Sequence, residues 1–201
     1  MTDASVLLFI GDSITDAGRR DDPDGLGSGY VRLVAEALTQ RGDEVTIINT
    51  GIGGDRVRDL KARWTADALD HRPDVLSVYI GINDTWRRYA GDPTSAEDFE
   101  RDYRDILQQA ADAGIPRIIL VQPFVTPVDE QQQTWGEDLD PKREAIARLA
   151  QEFRADLVAL HEIMARSSAD LDAGALAWDG VHPTPAGDRV IADAWIDTYD
   201  R

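Results

Sequence analysis

The sequence predicts an α/β protein, a three-layer α/β/α sandwich in which helices cover both faces of a five-stranded parallel sheet with flavodoxin-like order. Short apolar runs alternate with longer amphipathic segments along the 201 residues. The apolar runs are rich in Val, Ile and Leu, which is typical of strands that are buried on both faces. Neither a repeat nor an interdomain linker interrupts this alternation, so we expect a single domain over residues 1–201.

Five apolar runs are predicted as strands: 6–10, 45–49, 75–80, 117–121 and 156–160. The segments between and after them are predicted as helices near 30–39, 56–69, 96–113, 141–154 and 185–199. In the first helix, apolar residues at 31, 34, 35 and 38 repeat at helical spacing. Gly114 and Pro116 are the expected stop signal of the third helix. Pro141 suits the first turn of the fourth, with Asp140 as a candidate cap.

Composition limits the classes of partner. The formal net charge is −17, so the surface is expected to repel nucleic acid phosphates and anionic membranes, and a neutral substrate suits it best. Adaptation to a salty cytoplasm and simple solubility both explain this charge. The absence of cysteine excludes disulfides and thiolate chemistry. The N-terminal segment resembles a first strand and has neither a secretion signal nor a membrane span, so we expect a soluble, cytoplasmic protein.

Polar, glycine-rich blocks follow the first three strands, where parallel sheets bind their ligands. They read Gly-Asp-Ser-Ile-Thr at 11–15, Asn-Thr-Gly-Ile-Gly-Gly-Asp at 49–55 and Gly-Ile-Asn-Asp at 81–84. Serine needs an adjacent base to act as a nucleophile. Of the three histidines, His71 lies in a turn at the opposite end of the sheet, and His161 can pack at the start of a helix. His182 stands three residues after Asp179, close enough for that carboxylate to orient the imidazole.

Acyl transfer also needs hydrogen-bond donors for an oxyanion. The backbone N–H groups of Ser13 and Gly54 and the side-chain amide of Asn83 are the candidates. Each feature has an ordinary structural explanation: a His-Pro turn that caps a helix for the Asp179–His182 element, turn chemistry for the glycines, and an Asx turn for Asn83. Their occurrence together at neighbouring strand ends favours the catalytic interpretation.

These four blocks resemble, in order and spacing, the GDSL family of SGNH hydrolases, and the resemblance extends from residue 6 to about residue 195. The resemblance implies the SGNH hydrolase fold, a catalytic triad of Ser13, Asp179 and His182, and an oxyanion hole of Ser13, Gly54 and Asn83. Stretches such as GDSITDAGR, IGINDTWRRY and ALAWDGVHP look most like intracellular acetylxylan esterases, which remove acetyl groups from xylo-oligosaccharides. The sequence has no GxSxG motif, which excludes the α/β-hydrolase design for Ser13.

The expected substrate is therefore a small acetylated carbohydrate, hydrolysed through an acetyl-enzyme without a metal or other cofactor. Asp12, Asp84, Trp86 and Trp178 are assigned to substrate binding, although Asp12 is also expected to hold its own block by backbone hydrogen bonds. Both Trp residues can equally cover the edge of the core. The resemblance also implies a homo-oligomer. Two alternatives stay open: a general acyl esterase, lysophospholipase or thioesterase of the same family, and a non-catalytic carbohydrate-binding protein.

Overall fold

The computed structural model describes residues 4–201. Its five strands form one parallel sheet in the order β2-β1-β3-β4-β5. The strands are β1 (Ser5–Gly11), β2 (Val45–Asn49), β3 (Val75–Tyr79), β4 (Arg117–Val121) and β5 (Asp156–Val158). The predicted α/β/α fold is thus confirmed, and strand ends differ from the prediction by at most two residues.

Eight α-helices connect or follow these strands. They are α1 (Ser13–Asp16), α2 (Tyr30–Arg41), α3 (Val57–Asp67), α4 (Ile82–Trp86), α5 (Ala96–Asp112), α6 (Gly136–Phe153), α7 (Leu160–Ser168) and α8 (Pro185–Tyr199). The sequence pattern indicated α2, α3, α5, α6 and α8. It missed α7, and it missed the one-turn helices α1 and α4, which are too short to show a periodicity.

The sheet carries a core on each face because its strand residues alternate between the two. In β1, Leu7 and Phe9 pack in one cluster with residues of α2, α7 and α8. Leu8 and Ile10 pack in the other with residues of α3, α5 and α6. All four are completely buried. Two buried faces explain why the strands read as continuous apolar runs.

One predicted helix start is wrong. Pro141 lies inside α6, which begins five residues earlier at Gly136, so Asp140 is not its cap. Instead, the Asp140 carboxylate pairs with Arg143 on the next turn. The segment before Pro141 is helical because Leu139 and Trp135 are buried in the core, and this packing outweighs the hydrogen bond that proline removes.

The strand order places the polar blocks together. β1 lies between β2 and β3, so the connection from β1 to β2 and the connection from β2 to β3 run in opposite directions along the sheet. The polar blocks begin at Gly11, Asn49 and Gly81, each at the carboxyl end of its strand or within two residues of it. Open parallel sheets bind ligands at such a switch point. Among residues 4–201, none of the helices has the length and apolar character needed to span a membrane.

Candidate active site

Ser13 is the first residue of α1, directly after the end of β1. The Asp12 side chain caps this helix, with Oδ1 accepting from the N–H of Ile14 at 3.1 Å. A tight strand-to-helix turn needs a small residue before it: a Cβ on Gly11 would lie 2.2 Å from the carbonyl oxygen of Tyr79. The turn presents the partly exposed Ser13 hydroxyl at the edge of the sheet.

The imidazole of His182 reaches this hydroxyl. Nε2 of His182 lies 2.9 Å from Oγ of Ser13, although 169 residues separate the two in sequence. The other ring nitrogen, Nδ1, lies 2.8 Å from Oδ2 of Asp179. The distances fit a nucleophile, a general base and the carboxylate that orients the base.

The second oxygen of Asp179 is held by the backbone. Oδ1 accepts from the N–H groups of Val181 at 3.0 Å and His182 at 2.7 Å. Partial burial raises the pKa of this carboxyl, but the backbone and side-chain hydrogen bonds from His182 and the bond from Val181 together hold the pKa below its usual range. Asp179 is therefore ionised at neutral pH and can act as the counter-ion of His182.

Asp179 and His182 lie on one tight loop. Ala177 and Pro183 form an antiparallel bridge across its base, and the N–H of Trp178 donates to the carbonyl of His182 at 2.9 Å. Gly180 provides the left-handed residue that the turn requires, with φ of 83°.

Gln132 supports this loop from outside, and sequence analysis missed it. Its Nε2 donates to the carbonyl of Asp179 at 2.6 Å, while its Oε1 accepts from the N–H of Val128 at 3.0 Å. The Gln132 side chain packs directly against the backbone of Gly180, because a Cβ added to Gly180 would lie 2.2 Å from Oε1. A lone glutamine in a polar connection carries no recognisable signal. The glycine at 180 is an indirect sign that another group packs closely against this loop.

The two candidate oxyanion donors besides Ser13 lie on neighbouring segments, since Asn83 bonds to the residue that follows Gly54. Gly54 adopts φ of 86°, and its neighbour Gly53 is close to the serine, since a Cβ added to Gly53 would lie 3.7 Å from the Ser13 Cβ. Nδ2 of Asn83, on α4, donates one proton to the carbonyl of Asp55 at 3.0 Å. A primary amide has two N–H protons, so one is left for a ligand.

Asp12 and Asp84, which we assigned to substrate binding, are completely buried. Each carboxylate accepts one backbone N–H: Asp12 from Ile14, and Asp84 from Val57 at 3.1 Å. Neither side chain is exposed at the surface, which favours a structural role for both. Burial raises the pKa of each to about 7, since the ionised form lacks solvation.

The two tryptophans differ in exposure. The ring of Trp86 is half-buried between Trp135 and His182, with centroids 5.4 Å and 5.9 Å away. Trp178, next to Asp179, is 69% exposed. Trp64, Trp135 and Trp195 are buried core residues. Of the five tryptophans, only Trp86 and Trp178 are therefore exposed enough to contact a ligand.

The remaining sequence candidates lie elsewhere. His71 is exposed on a turn before β3, and His161 lies in α7, where burial lowers its pKa. Arg56 and Arg58, which come shortly after the second polar block, both donate to Asp92, at 2.7 Å and 2.8 Å. Within the part of the chain that the structure describes, His and carboxylate side chains form no group of three or more that could hold a metal ion.

Comparison with known proteins adds independent information. Residues 9–190 match the GDSL-like lipase/acylhydrolase family. The chain is 36% identical to an acetylxylan esterase of Geobacillus stearothermophilus, over 94% of this chain and 91% of that protein. It is 25% identical to an arylesterase of Vibrio mimicus, over 93% and 84% of the two chains.

The crystal structure of the Geobacillus stearothermophilus acetylxylan esterase superposes with a TM-score of 0.89 at 33% identity, covering 98% of this chain and 96% of that one. Solved structures of that enzyme include catalytic mutants in which a serine, an aspartate or a histidine is replaced by alanine. In that enzyme, the aspartate stands three residues before the histidine.

Proposed function

The chain belongs to the GDSL-like lipase/acylhydrolase family and is a carboxylic ester hydrolase, and from this premise we propose that it removes acetyl groups from acetylated xylo-oligosaccharides or related carbohydrates. The observation that carries the proposal is the continuous contact from Asp179 through His182 to the Ser13 hydroxyl, at 2.8 Å and 2.9 Å. The three-residue spacing of Asp179 and His182, equal to that of the catalytic pair in the acetylxylan esterase, supports the same roles here.

The proposed reaction has two halves. Nε2 of His182 accepts the proton of the Ser13 hydroxyl as Oγ attacks the acetyl carbonyl carbon. The carbonyl oxygen, now negatively charged, accepts hydrogen bonds from the N–H groups of Ser13 and Gly54 and from the free N–H of Asn83. When the tetrahedral intermediate collapses, the bond to the sugar oxygen breaks and His182 donates its proton to that oxygen.

Water completes the cycle. The acetyl-enzyme leaves His182 neutral, so Nε2 accepts a proton from a water molecule as the water oxygen attacks the acyl carbon. Collapse of the second tetrahedral intermediate releases acetate and returns the proton to Ser13. Asp179 stays ionised throughout and stabilises the imidazolium that forms in each half.

The surroundings of Ser13 favour a short acyl group on a polar leaving group. The side chains of Asp179 and His182 are 45% and 43% exposed, so the base is open to a large sugar alcohol. The half-buried ring of Trp86 packs beside His182 and offers an apolar surface against which the acetyl methyl group can pack. Trp178 offers an exposed indole face on which a pyranose ring can stack.

Replacement of the nucleophile tests the catalytic assignment. Ser13→Ala should lower kcat by about 10⁴-fold or more and leave the melting temperature unchanged, since the hydroxyl is partly exposed. Activity above a few per cent of wild type would overturn the assignment.

A second experiment addresses the substrate. Release of acetate from defined acetylated xylo-oligosaccharides, followed by NMR, should be fast and should identify the hydroxyl that is freed. On 4-nitrophenyl esters, acetyl should turn over faster than octanoyl. Faster octanoyl turnover would favour the lysophospholipase or thioesterase alternative.

A further inference from the structure

Lys142 is a completely buried lysine in a chain that has only two lysines. Its ammonium pairs with the carboxylate of Asp138 one turn earlier on α6, and lies 3.3 Å from the hydroxyl oxygen of Thr85. The Thr85 hydroxyl in turn donates to Oδ2 of Asp138 at 2.8 Å. The three side chains therefore form a closed triangle, which we call the α4–α6 triangle.

Stability alone does not explain this arrangement. A buried ion pair loses so much hydration that apolar residues in its place are often equally stabilising. The triangle contributes a defined orientation of the two helices, because its hydrogen bonds form only within a narrow range of distances and angles. Thr85 belongs to α4, and Asp138 and Lys142 belong to α6. The triangle therefore fixes the rotation and position of α4 relative to a long helix of the scaffold.

α4 needs such an anchor. It has five residues, too few for a helix to persist by its own hydrogen bonds. It also carries two groups of the site: Asn83, whose amide donates to Asp55, and Trp86, whose ring packs on His182. A small rotation of α4 would move both groups relative to Ser13.

We propose that Lys142, Asp138 and Thr85 are positioning residues of the esterase, which hold α4 so that the free N–H of Asn83 points at the oxyanion. The inference rests on the proposed role of Asn83 as an oxyanion donor. The triangle touches neither substrate nor reacting atoms, and it acts through Asn83.

The test begins at Thr85, because Lys142→Met would leave Asp138 without its buried cation and can fail to fold. Thr85→Val keeps the shape and removes the hydroxyl. It should lower kcat on 4-nitrophenyl acetate by about tenfold, since small displacements of a catalytic group cost up to about 10²-fold. KM should change less than twofold, and Thr85→Ser, which restores the hydroxyl, should recover most of kcat.

Thr198→Val is the matched control. Thr198 is also buried, and its hydroxyl bonds only to the carbonyl of Ala194 in its own helix α8. Its backbone carbonyl accepts a hydrogen bond from Arg117, the first residue of β4, so Thr198 lies at the end of the sheet opposite to Ser13. The control should lower the melting temperature about as much as Thr85→Val and leave kcat unchanged. Equal kcat losses in the two variants would reduce the role of Thr85 to stability.

A double-mutant cycle with Asn83→Ala separates this inference from the proposed function. If Thr85 acts through Asn83, the double variant with Thr85→Val and Asn83→Ala should have a kcat less than twofold below that of Asn83→Ala alone. Multiplied losses would overturn the inference and leave Asn83 as a donor. Wild-type kcat in Asn83→Ala alone would overturn the donor assignment, and the positioning role with it.

Discussion

The carboxylate of Asp179 meets His182 twice, once at the ring and once at the backbone. Oδ2 lies 2.8 Å from Nδ1 of the imidazole, and Oδ1 lies 2.7 Å from the N–H of the same residue. Because the backbone hydrogen bond fixes the orientation of the carboxylate, Oδ2 is held facing Nδ1. An acceptor at that position keeps the imidazole proton on Nδ1 and leaves the lone pair on Nε2, which faces Ser13.

Asp179→Asn should inactivate the enzyme without unfolding it. The Asn carbonyl oxygen can still accept from the backbone of the loop, which turns its NH₂ group toward Nδ1. The imidazole must then carry its proton on Nε2, where it cannot accept the proton of Ser13. We expect kcat to fall by about 10⁴-fold with an unchanged melting temperature. A loss below tenfold would show that His182 does not depend on this carboxylate.

Gly54→Ala should lower kcat as well as stability. The residue has φ of 86°, where a side chain costs about 1–2 kcal/mol, and relief of that strain would turn its N–H away from the position proposed for the oxyanion. Gly42→Ala is the control, since Gly42 has φ of 82°, open space around it and a place at the end of α2. Both variants should melt earlier in a thermal scan. A normal kcat for Gly54→Ala would argue against its role as a donor.

The buried carboxyls of Asp12 and Asp84 should make the protein less stable as pH rises. Their pKa values are about 7 in the folded protein and about 4 in an unfolded chain. The folded state therefore binds these protons more tightly. Their contribution to stability is complete below pH 4 and is lost as pH rises through 7, by up to about 4 kcal/mol for each group.

Denaturant unfolding between pH 4.5 and 8 measures this loss. In Asp12→Asn or Asp84→Asn, the free energy of unfolding should fall less over this range than in wild type. Asp172→Asn, at an exposed aspartate, should retain the wild-type slope. Equal slopes in all four proteins would mean that neither buried carboxyl titrates in this window.

Trp178→Ala should separate large substrates from small ones. The indole is 69% exposed beside Asp179, so its removal leaves no cavity in the core. If a sugar ring stacks on it, KM for acetylated xylo-oligosaccharides should rise about three- to tenfold, with kcat on 4-nitrophenyl acetate unchanged. Steady-state kinetics on both substrates checks this. Equal effects on both would indicate that Trp178 shapes the loop of His182 instead.

The architecture could be predicted well because its signals are local. The central strands are buried on both faces, so a strand such as β4 appears as an apolar run with matching limits. The start of α6 was misjudged because Pro141 on its own favours the first turn of a helix, and only tertiary packing shows that the helix starts before it. Neither α4 nor α7 was predicted, and α4 depends on hydrogen bonds with α3 and α6, which are distant in sequence.

The site could be predicted to the extent that residue type determines chemistry. Serine, histidine and aspartate in the right blocks indicated the contacts that the distances later gave. Burial is what the sequence could not supply. Asp84 is completely enclosed, whereas the adjacent Asn83 keeps 8% of its surface exposed. Gln132 and Lys142 act by filling space and bridging segments, and nothing in their own neighbourhood of the sequence distinguishes them.

The loop closed by Ala177 and Pro183 carries both the base and its carboxylate, while the hydroxyl comes from the other end of the chain. A fluctuation that lifts this loop would carry the imidazole and its counter-ion away as one intact unit. The enzyme would then lose activity reversibly at denaturant concentrations where the sheet is still folded. Inactivation would begin when the loop of His182 separates from Ser13, before either segment unfolds.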